Sequence, residues 1–320
     1  MSPEGDVGRS IILGVVGDSA AGKTTLTRGL VRVLGEENVT HVCVDDYHRY
    51  DRRQRAERNI TPLHPDCNHM DIMAQHMGHL RDGEPFLKPV YQHHDGTFGP
   101  LARIDPKRFS VVEGLLGYYT EELRTLFDVR IYLAPPEELR RKWKVQRDCS
   151  RRGYTTDQVL TELDRREPDS EAFIRPQQQY ADIVVSFLPD PSGDQEHLDA
   201  ELVLRPTLKH PDFRSVLDGE ADASGGIRIT ELGDEVQLHI PGRLERERAE
   251  AIEEMIWSGL HFASHLRSER LGEFTIGTDL HRSESLALIQ LLILYHLFTA
   301  TASAALDGVG ASREETAAGV

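Results

Sequence analysis

The stretch Gly17-Asp18-Ser19-Ala20-Ala21-Gly22-Lys23-Thr24 fits the pattern GxxxxGK[ST], and it is set between an apolar run, Ile11 to Val16, and a helical pattern from about Lys23 to Gly35. That order commits the start of the chain to strand, tight loop and helix. The glycines let backbone N–H groups curl around phosphates, and the helix start adds the positive end of its dipole. Lys23 then reaches toward the β- and γ-phosphates, and Thr24 is positioned to ligate Mg²⁺. Residues Gly17, Asp18, Ser19, Ala20, Ala21, Gly22, Lys23, Thr24 and Thr25 are the expected ATP-binding set.

Through residue 188, short β-branched runs alternate with helical patterns, the habit of a parallel sheet covered by crossover helices. Val39 to Val44, Phe109 to Val112, Val129 to Leu133 and Ile183 to Phe187 read as strands. Met70 to Arg81, Glu121 to Phe127, Glu137 to Arg152 and Thr156 to Arg166 read as helices. Ligands of an open α/β sheet sit beyond the carboxyl ends of its strands, so chemistry is expected after Val16, Val44 and Val112. Pro189, Pro191, Ser192 and Gly193 mark a connection. Beyond it, Leu202 to Leu204, Ile227 to Leu232 and Glu235 to Ile240 read as strands, the last two a hairpin through Gly233-Asp234. Helices are expected from about Leu244 to Leu266 and from Ser285 to Phe298. The fold class is therefore α/β, a parallel-type sheet flanked by helices with a C-terminal α+β extension. Residues 1–190 form the core, 191–300 an extension of the same lobe or a small second domain, and 301–320 a disordered tail.

Hydrophobic residues make up 39% of the chain and charged residues 28%, the balance of a folded globular protein. A formal net charge of −16 argues against nucleic-acid binding, which needs an excess of Lys and Arg on the contact face, so an anionic ligand must meet a local basic patch. Cys43, Cys67 and Cys149 lack CxxC spacing and are too few to staple the chain, so a reducing, cytoplasmic setting is expected. Met1 to Ser10 carries Glu4 and Asp6 and does not read as a signal peptide. Leu286 to Ala305 is apolar, but Gln290 and His296 interrupt it; a buried or subunit-interface helix is expected, not a membrane span.

Two acidic positions stand out. Glu113 follows the strand Ser110-Val111-Val112 and suits a metal-facing carboxylate. Asp45-Asp46-Tyr47-His48-Arg49-Tyr50-Asp51-Arg52 follows the second strand and combines a carboxylate able to accept a hydroxyl proton with cations able to hold an acceptor. The bland alternative for the block is a polar loop with an N-cap Asp and an exposed charge run that continues through Arg53, Arg55 and Arg58.

In these motifs, taken in order, the chain resembles the phosphoribulokinase and uridine kinase superfamily across roughly Ile11 to Leu188. Glu113-Gly114-Leu115 is similar to the family's acidic motif, Lys88-Pro89-Val90-Tyr91-Gln92-His93 to its Pro-x-Tyr-x-His element, and Lys144-Val145-Gln146-Arg147-Asp148 with Arg152-Gly153 to its lid helix. The resemblance implies a P-loop kinase that uses ATP and Mg²⁺ to phosphorylate the C1 hydroxyl of a sugar phosphate, ribulose 5-phosphate. It makes Asp45 the general base and Asp148 a second catalytic carboxylate, with Lys23 catalytic at the phosphates and Thr24 and Glu113 at the metal. His48, Arg49, Arg52, Tyr91, His93, Lys144, Arg147 and Arg152 are the implied substrate-binding residues. A homodimer is the expected assembly. The family's redox-controlled members pair a Cys before the P-loop Gly-Lys with one before the Asp-Asp; Ala21 stands in the first place and Cys43 in the second, so that switch is expected to be missing and Cys43 to be a small core hydrophobe. Leu116 and His64-Pro65-Asp66 depart from the phosphoribulokinase pattern, which leaves a uridine kinase-like acceptor open; a nucleotide-binding regulatory protein is a third reading.

Overall fold

The computed structural model describes residues 9–189, 197–213, 226–260, 270–276 and 279–318, without the side chains of residue 151 and of residues 306–318. The expectation for Met1 to Ser10 thus falls almost wholly outside the described residues, as does most of the connection at 188–196. Strands β1 (Ile11–Gly17) and β2 (Val39–Cys43) come first. Two small antiparallel pairs follow, β3 (Phe86–Lys88) with β6 (Ala102–Ile104) and β4 (Tyr91–Gln92) with β5 (Thr97–Phe98). Next come β7 (Phe109–Gly114), β8 (Val129–Leu133), β9 (Ile183–Leu188), β10 (Asp199–Leu204), β11 (Arg228–Leu232) and β12 (Glu235–Ile240), and last the pair β13 (Glu273–Ile276) and β14 (Asp279–Arg282). The helices are α1 (Lys23–Leu34), α2 (Arg52–Glu57), α3 (Met70–Asp82), α4 (Glu121–Thr125), α5 (Glu137–Arg152), α6 (Thr156–Asp169), α7 (Arg246–Ser258) and α8 (Glu284–Ala318).

Eight strands form one sheet in the order β11-β12-β10-β9-β8-β1-β7-β2. From β2 to β9 every pairing is parallel; β10, β11 and β12 add antiparallel strands beyond β9. The sheet is therefore mixed, and the C-terminal strands extend it. β1 is buried along its whole length, as a central parallel strand covered on both faces must be. Its side chains alternate: Ile11, Leu13 and Val15 enter one apolar cluster with α1, α7 and α8, while Ile12 and Val16 enter another with Met73, Met77 and Leu80 of α3.

Helix α8 is longer than its apolar period suggests and runs through the stretch expected to be a tail, whose Ala and Glu residues favour helix. Glu284–Ala305 is long and apolar enough to cross a membrane, but 72% of that window is buried inside the protein. Its polar interruptions are internal fastenings. The buried Gln290 amide accepts from Gly272 N–H (2.8 Å) and donates to the Leu26 carbonyl (3.2 Å). Gly29 of α1 makes room for it, since a Cβ there would come within 2.0 Å of Gln290 Nε2. Helix α7 covers most of the described part of the stretch expected from Leu244 to Leu266; residues 261–269 lie outside the described residues.

Gln290→Leu would leave the buried Gly272 N–H without its acceptor, an omission that costs roughly 1–3 kcal/mol. Urea unfolding should show a destabilisation of about that size; a change under roughly 0.5 kcal/mol would mean that the amide fastens nothing.

Candidate active site

At the carboxyl edge of the sheet a single cavity of about 1170 Å³ is lined by Ser19 to Thr25, Asp45, His48, Glu113 and Asp148, among others. Its floor is the loop between β1 and α1. Gly22, at φ 97°, caps α1 with no side-chain hydrogen bond, so the helix start presents backbone N–H groups to the cavity. Gly17 is held to glycine by contact: a Cβ would meet the Leu133 carbonyl oxygen at 2.6 Å. Ala20 takes a left-handed φ of 68°, a strained conformation for a residue with a side chain. Lys23 Nζ donates to the carbonyls of Gly17 (2.7 Å) and Asp18 (2.9 Å). Burial lowers its pKa against the pull of Asp45, Glu113 and Asp18.

Glu113 is buried at the end of β7, where its oxygens accept from Thr24 Oγ1 (3.2 Å) and Thr27 Oγ1 (3.3 Å), and His41 Nε2 lies at 3.2 Å. Burial alone would raise its pKa; His41, Lys23 and Thr24 outweigh burial and keep it ionised. A hydroxyl and an ionised carboxylate in contact are an all-oxygen donor pair, which suits a hard cation such as Mg²⁺ held jointly with phosphates and water. Among the described residues no set of three or more His, Cys, Asp or Glu could hold a metal without such help.

The adjacent acids Asp45 and Asp46 are separated by their partners. Asp46 pairs with Lys88 and accepts from Tyr91 N–H (2.8 Å), so it is structural. The Asp45 carboxylate has no hydrogen bond or ion pair among the described residues and lines the cavity, where its charge acts on Lys23, His48 and His93.

His48 is positioned by a relay. The Asn68 amide donates to the carbonyls of Pro62 (3.1 Å) and His64 (3.0 Å), which turns its Oδ1 toward His48 Nδ1 at 2.8 Å. Nδ1 therefore carries the proton and Nε2 is left as an acceptor. Burial pushes the His48 pKa down to about 4 in spite of Asp45, so the ring is neutral near pH 7 and contributes no cation. Arg49 is exposed and does not line the cavity, while Arg52 lines it and donates to the His93 carbonyl (2.7 Å). The expected cationic trio thus reduces to Arg52 on this side.

Arg55 replaces what is lost. Read in the sequence as part of an exposed run, it is the buried residue of an otherwise exposed helix, held by its contacts with Tyr50 and Tyr91. It donates to the Tyr50 carbonyl (2.7 Å) and to Tyr91 Oη (2.5 Å), lies over the Tyr91 ring and lines the cavity. Among the described residues no carboxylate pairs with it. No local signal in the sequence marks Arg55 off from the exposed arginines around it, because its burial depends on Tyr91, thirty-six positions away. Tyr91 also meets His48 edge-on at 4.8 Å and His93 at 5.1 Å, and all three line the cavity.

From the opposite wall α5 presents a fan of charge. Asp148 accepts from Lys144 (2.5 Å) and Arg147 (2.9 Å), with Arg152 at 3.5 Å. Burial would raise the Asp148 pKa, but Arg147 and Lys144 hold it low; burial and Arg147 bring Lys144 down to about 8. Gly17 and Asp18 do not line the cavity, and the buried Asp18 carboxylate is tied to Ser170 and, at 3.6 Å, to Arg140. Cys43 lines the cavity instead of filling the core, since β2 is an edge strand with one side turned to the cleft; Cys43, Cys67 and Cys149 are free thiols.

A model of the phosphoribulokinase / uridine kinase family matches residues 12–192. The chain is 41% identical over 181 residues to the phosphoribulokinase of Synechocystis sp., a match covering 57% of this chain and 54% of that protein. Against the chloroplastic phosphoribulokinase of Triticum aestivum it is 36% identical over 200 residues, covering 57% and 50%. The chain thus spans about half the length of the curated relatives it matches. In fold it is similar to the solved phosphoribulokinase from Rhodobacter spheroides, with a TM-score of 0.59, 17% identity and coverage of 81% of this chain and 98% of that one.

The neutral His48 makes a pH prediction. Its folded pKa, about 4, lies below the ordinary 6.5, so on acidification the unfolded chain binds the proton first. Its contribution is fully present above pH 6.5 and is lost as pH falls toward 4, by about 1.4 kcal/mol per unit at the steepest. His296, brought down to about 3 by burial and His210, acts in the same direction. Urea unfolding at pH 7.5 and pH 5 should show a smaller loss in His48→Asn than in wild type; equal losses would mean that His48 is not buried neutral.

Proposed function

The chain belongs to the phosphoribulokinase / uridine kinase family, and on that premise we propose that it is an ATP- and Mg²⁺-dependent kinase acting on the C1 hydroxyl of D-ribulose 5-phosphate. Arg55 carries the choice of acceptor. A buried guanidinium whose partners among the described residues are uncharged is costly unless a ligand supplies negative charge. A sugar phosphate brings that charge and uridine does not. The curated relatives named above are phosphoribulokinases, which supports the same reading.

In this mechanism the triphosphate lies on the loop from Ser19 to Thr25, gripped by backbone N–H groups and Lys23. Thr24 and Glu113 would hold Mg²⁺, which would neutralise charge on the phosphates. Arg52 and Arg55 hold the acceptor phosphate, and neutral His48 accepts a hydrogen bond from a sugar hydroxyl through Nε2. Asp45 takes the C1 proton as that oxygen bonds to the γ-phosphorus; the bond from phosphorus to the β–γ bridging oxygen breaks and ADP leaves. Lys144, Arg147 and Arg152, aligned by Asp148, meet the charge that spreads over the transferred group. Tyr91 and His93 complete the acceptor wall. The sparse, free cysteines support a reducing cytoplasmic setting, and a homodimer is the assembly to check by light scattering.

The test is ADP release with ATP, Mg²⁺ and a panel of ribulose 5-phosphate, uridine, cytidine and pantothenate. Ribulose 5-phosphate should be the efficient substrate; turnover of uridine alone would transfer the assignment to the nucleoside kinases. Asp45→Asn should lower kcat by about three orders of magnitude while ATP still binds. A fall under tenfold would remove Asp45 as the base. Arg52→Ala should raise the KM for the sugar phosphate about tenfold and leave that for ATP nearly unchanged.

A further inference from the structure

The family model stops at residue 192, yet the cavity does not end with the residues it covers. Beyond the phosphate loop the same cavity continues to Trp143, Phe187, Leu198, Phe274, Ile276 and Leu286. This end is mainly apolar, with Arg32 and Glu273 at its border paired to each other, whereas the end at Asp45, His48, Arg52 and Arg55 is polar and charged. Strand order separates the two. β2, which delivers Asp45, lies two strands to one side of β1, while β9, which ends near Phe187, lies two strands to the other. At about 4.8 Å per strand each end is roughly 10 Å from the phosphate loop, in opposite directions.

Both walls of the apolar end are tied to the phosphate-binding elements. Trp143 stands over the loop, 3.9 Å from where a Gly22 Cβ would be. Hairpin β13–β14 is fastened along α1: Arg32 pairs with Glu273 at 2.9 Å, and Gln290 joins Gly272, just before β13, to Leu26. Lys23 and Arg32 are nine residues apart, about 14 Å of helix, so the hairpin borders the groove for a nucleoside's length past the phosphates.

We infer that Trp143 and the hairpin residues Phe274 and Ile276 form the clamp for the base and ribose of the nucleotide, so that the segment beyond the family match builds half of the ATP site. The inference rests on the kinase reading. With the γ-phosphate directed at Asp45, the nucleoside leaves the phosphate loop on the other side, where a planar heterocycle meets an aromatic face and aliphatic side chains. Thr275 and Ser283 supply polar groups at the same end.

Tryptophan fluorescence of the full-length protein tests this directly, with Trp143→Phe as the control because the chain's only other tryptophan is the buried Trp257. ADP should change the emission of wild type and not of Trp143→Phe. Tripolyphosphate, which has no base, should compete with ADP and leave emission unchanged. Phe274→Ala should raise the KM for ATP about tenfold while the KM for ribulose 5-phosphate stays within about twofold. ADP binding without a change in Trp143 emission, an equal change with tripolyphosphate, or an unaltered KM for ATP in Phe274→Ala would each overturn the clamp and leave the kinase reading standing. Failure of wild type to bind ADP would overturn both.

Discussion

Everything at the site is placed relative to the turn from β1 into α1. β1 sits inside the sheet and is buried on both faces, so the loop that leaves it is anchored in two apolar clusters at once. Parallel pairing brings β7 alongside in a register that sets Glu113 beside Thr24, and β2 follows with Asp45 just past its end. The backbone N–H groups of the loop, Glu113 and Asp45 therefore share one frame.

Electrostatics within that frame run against the charge of the whole chain. A net charge of −16 surrounds a cavity whose lining includes Lys23, Arg52, Arg55, Lys144, Arg147 and Arg152. Two devices keep these cations usable. Asp148 gathers three of them into one fan, and Arg55 is parked on neutral oxygens, which holds its position without cancelling its charge. The acidic remainder keeps other surfaces from competing for the same anions.

The parts of this arrangement that were legible in the sequence are those written locally. The phosphate loop, the alternating strands and the acid after the third core strand are each specified by neighbours within a few residues. What could not be read depended on contacts across the chain. Only the family resemblance chose Asp45 over Asp46, since nothing adjacent distinguishes them; the partner that occupies Asp46 is Lys88, forty-two positions away. The neutrality of His48 depends on Asn68 and on burial, and the inward turn of Arg55 on Tyr91. Residues after 193 carry no motif because they build walls, and a wall needs only shape and apolarity. Gln290 was visible only as a blemish in an apolar helix, since its two partners lie on segments far apart in the chain.

One apolar cluster joins β1, α1, β8 and β9 to Leu286, Ile289, Ile293 and Leu297 of α8. The segment shared with the family is therefore not a cassette that could be lifted out whole: cut after residue 189, it would turn the inner face of its own sheet to water. The end of the chain serves as the keystone of the half that carries the phosphate loop, although it has no recognisable motif of its own.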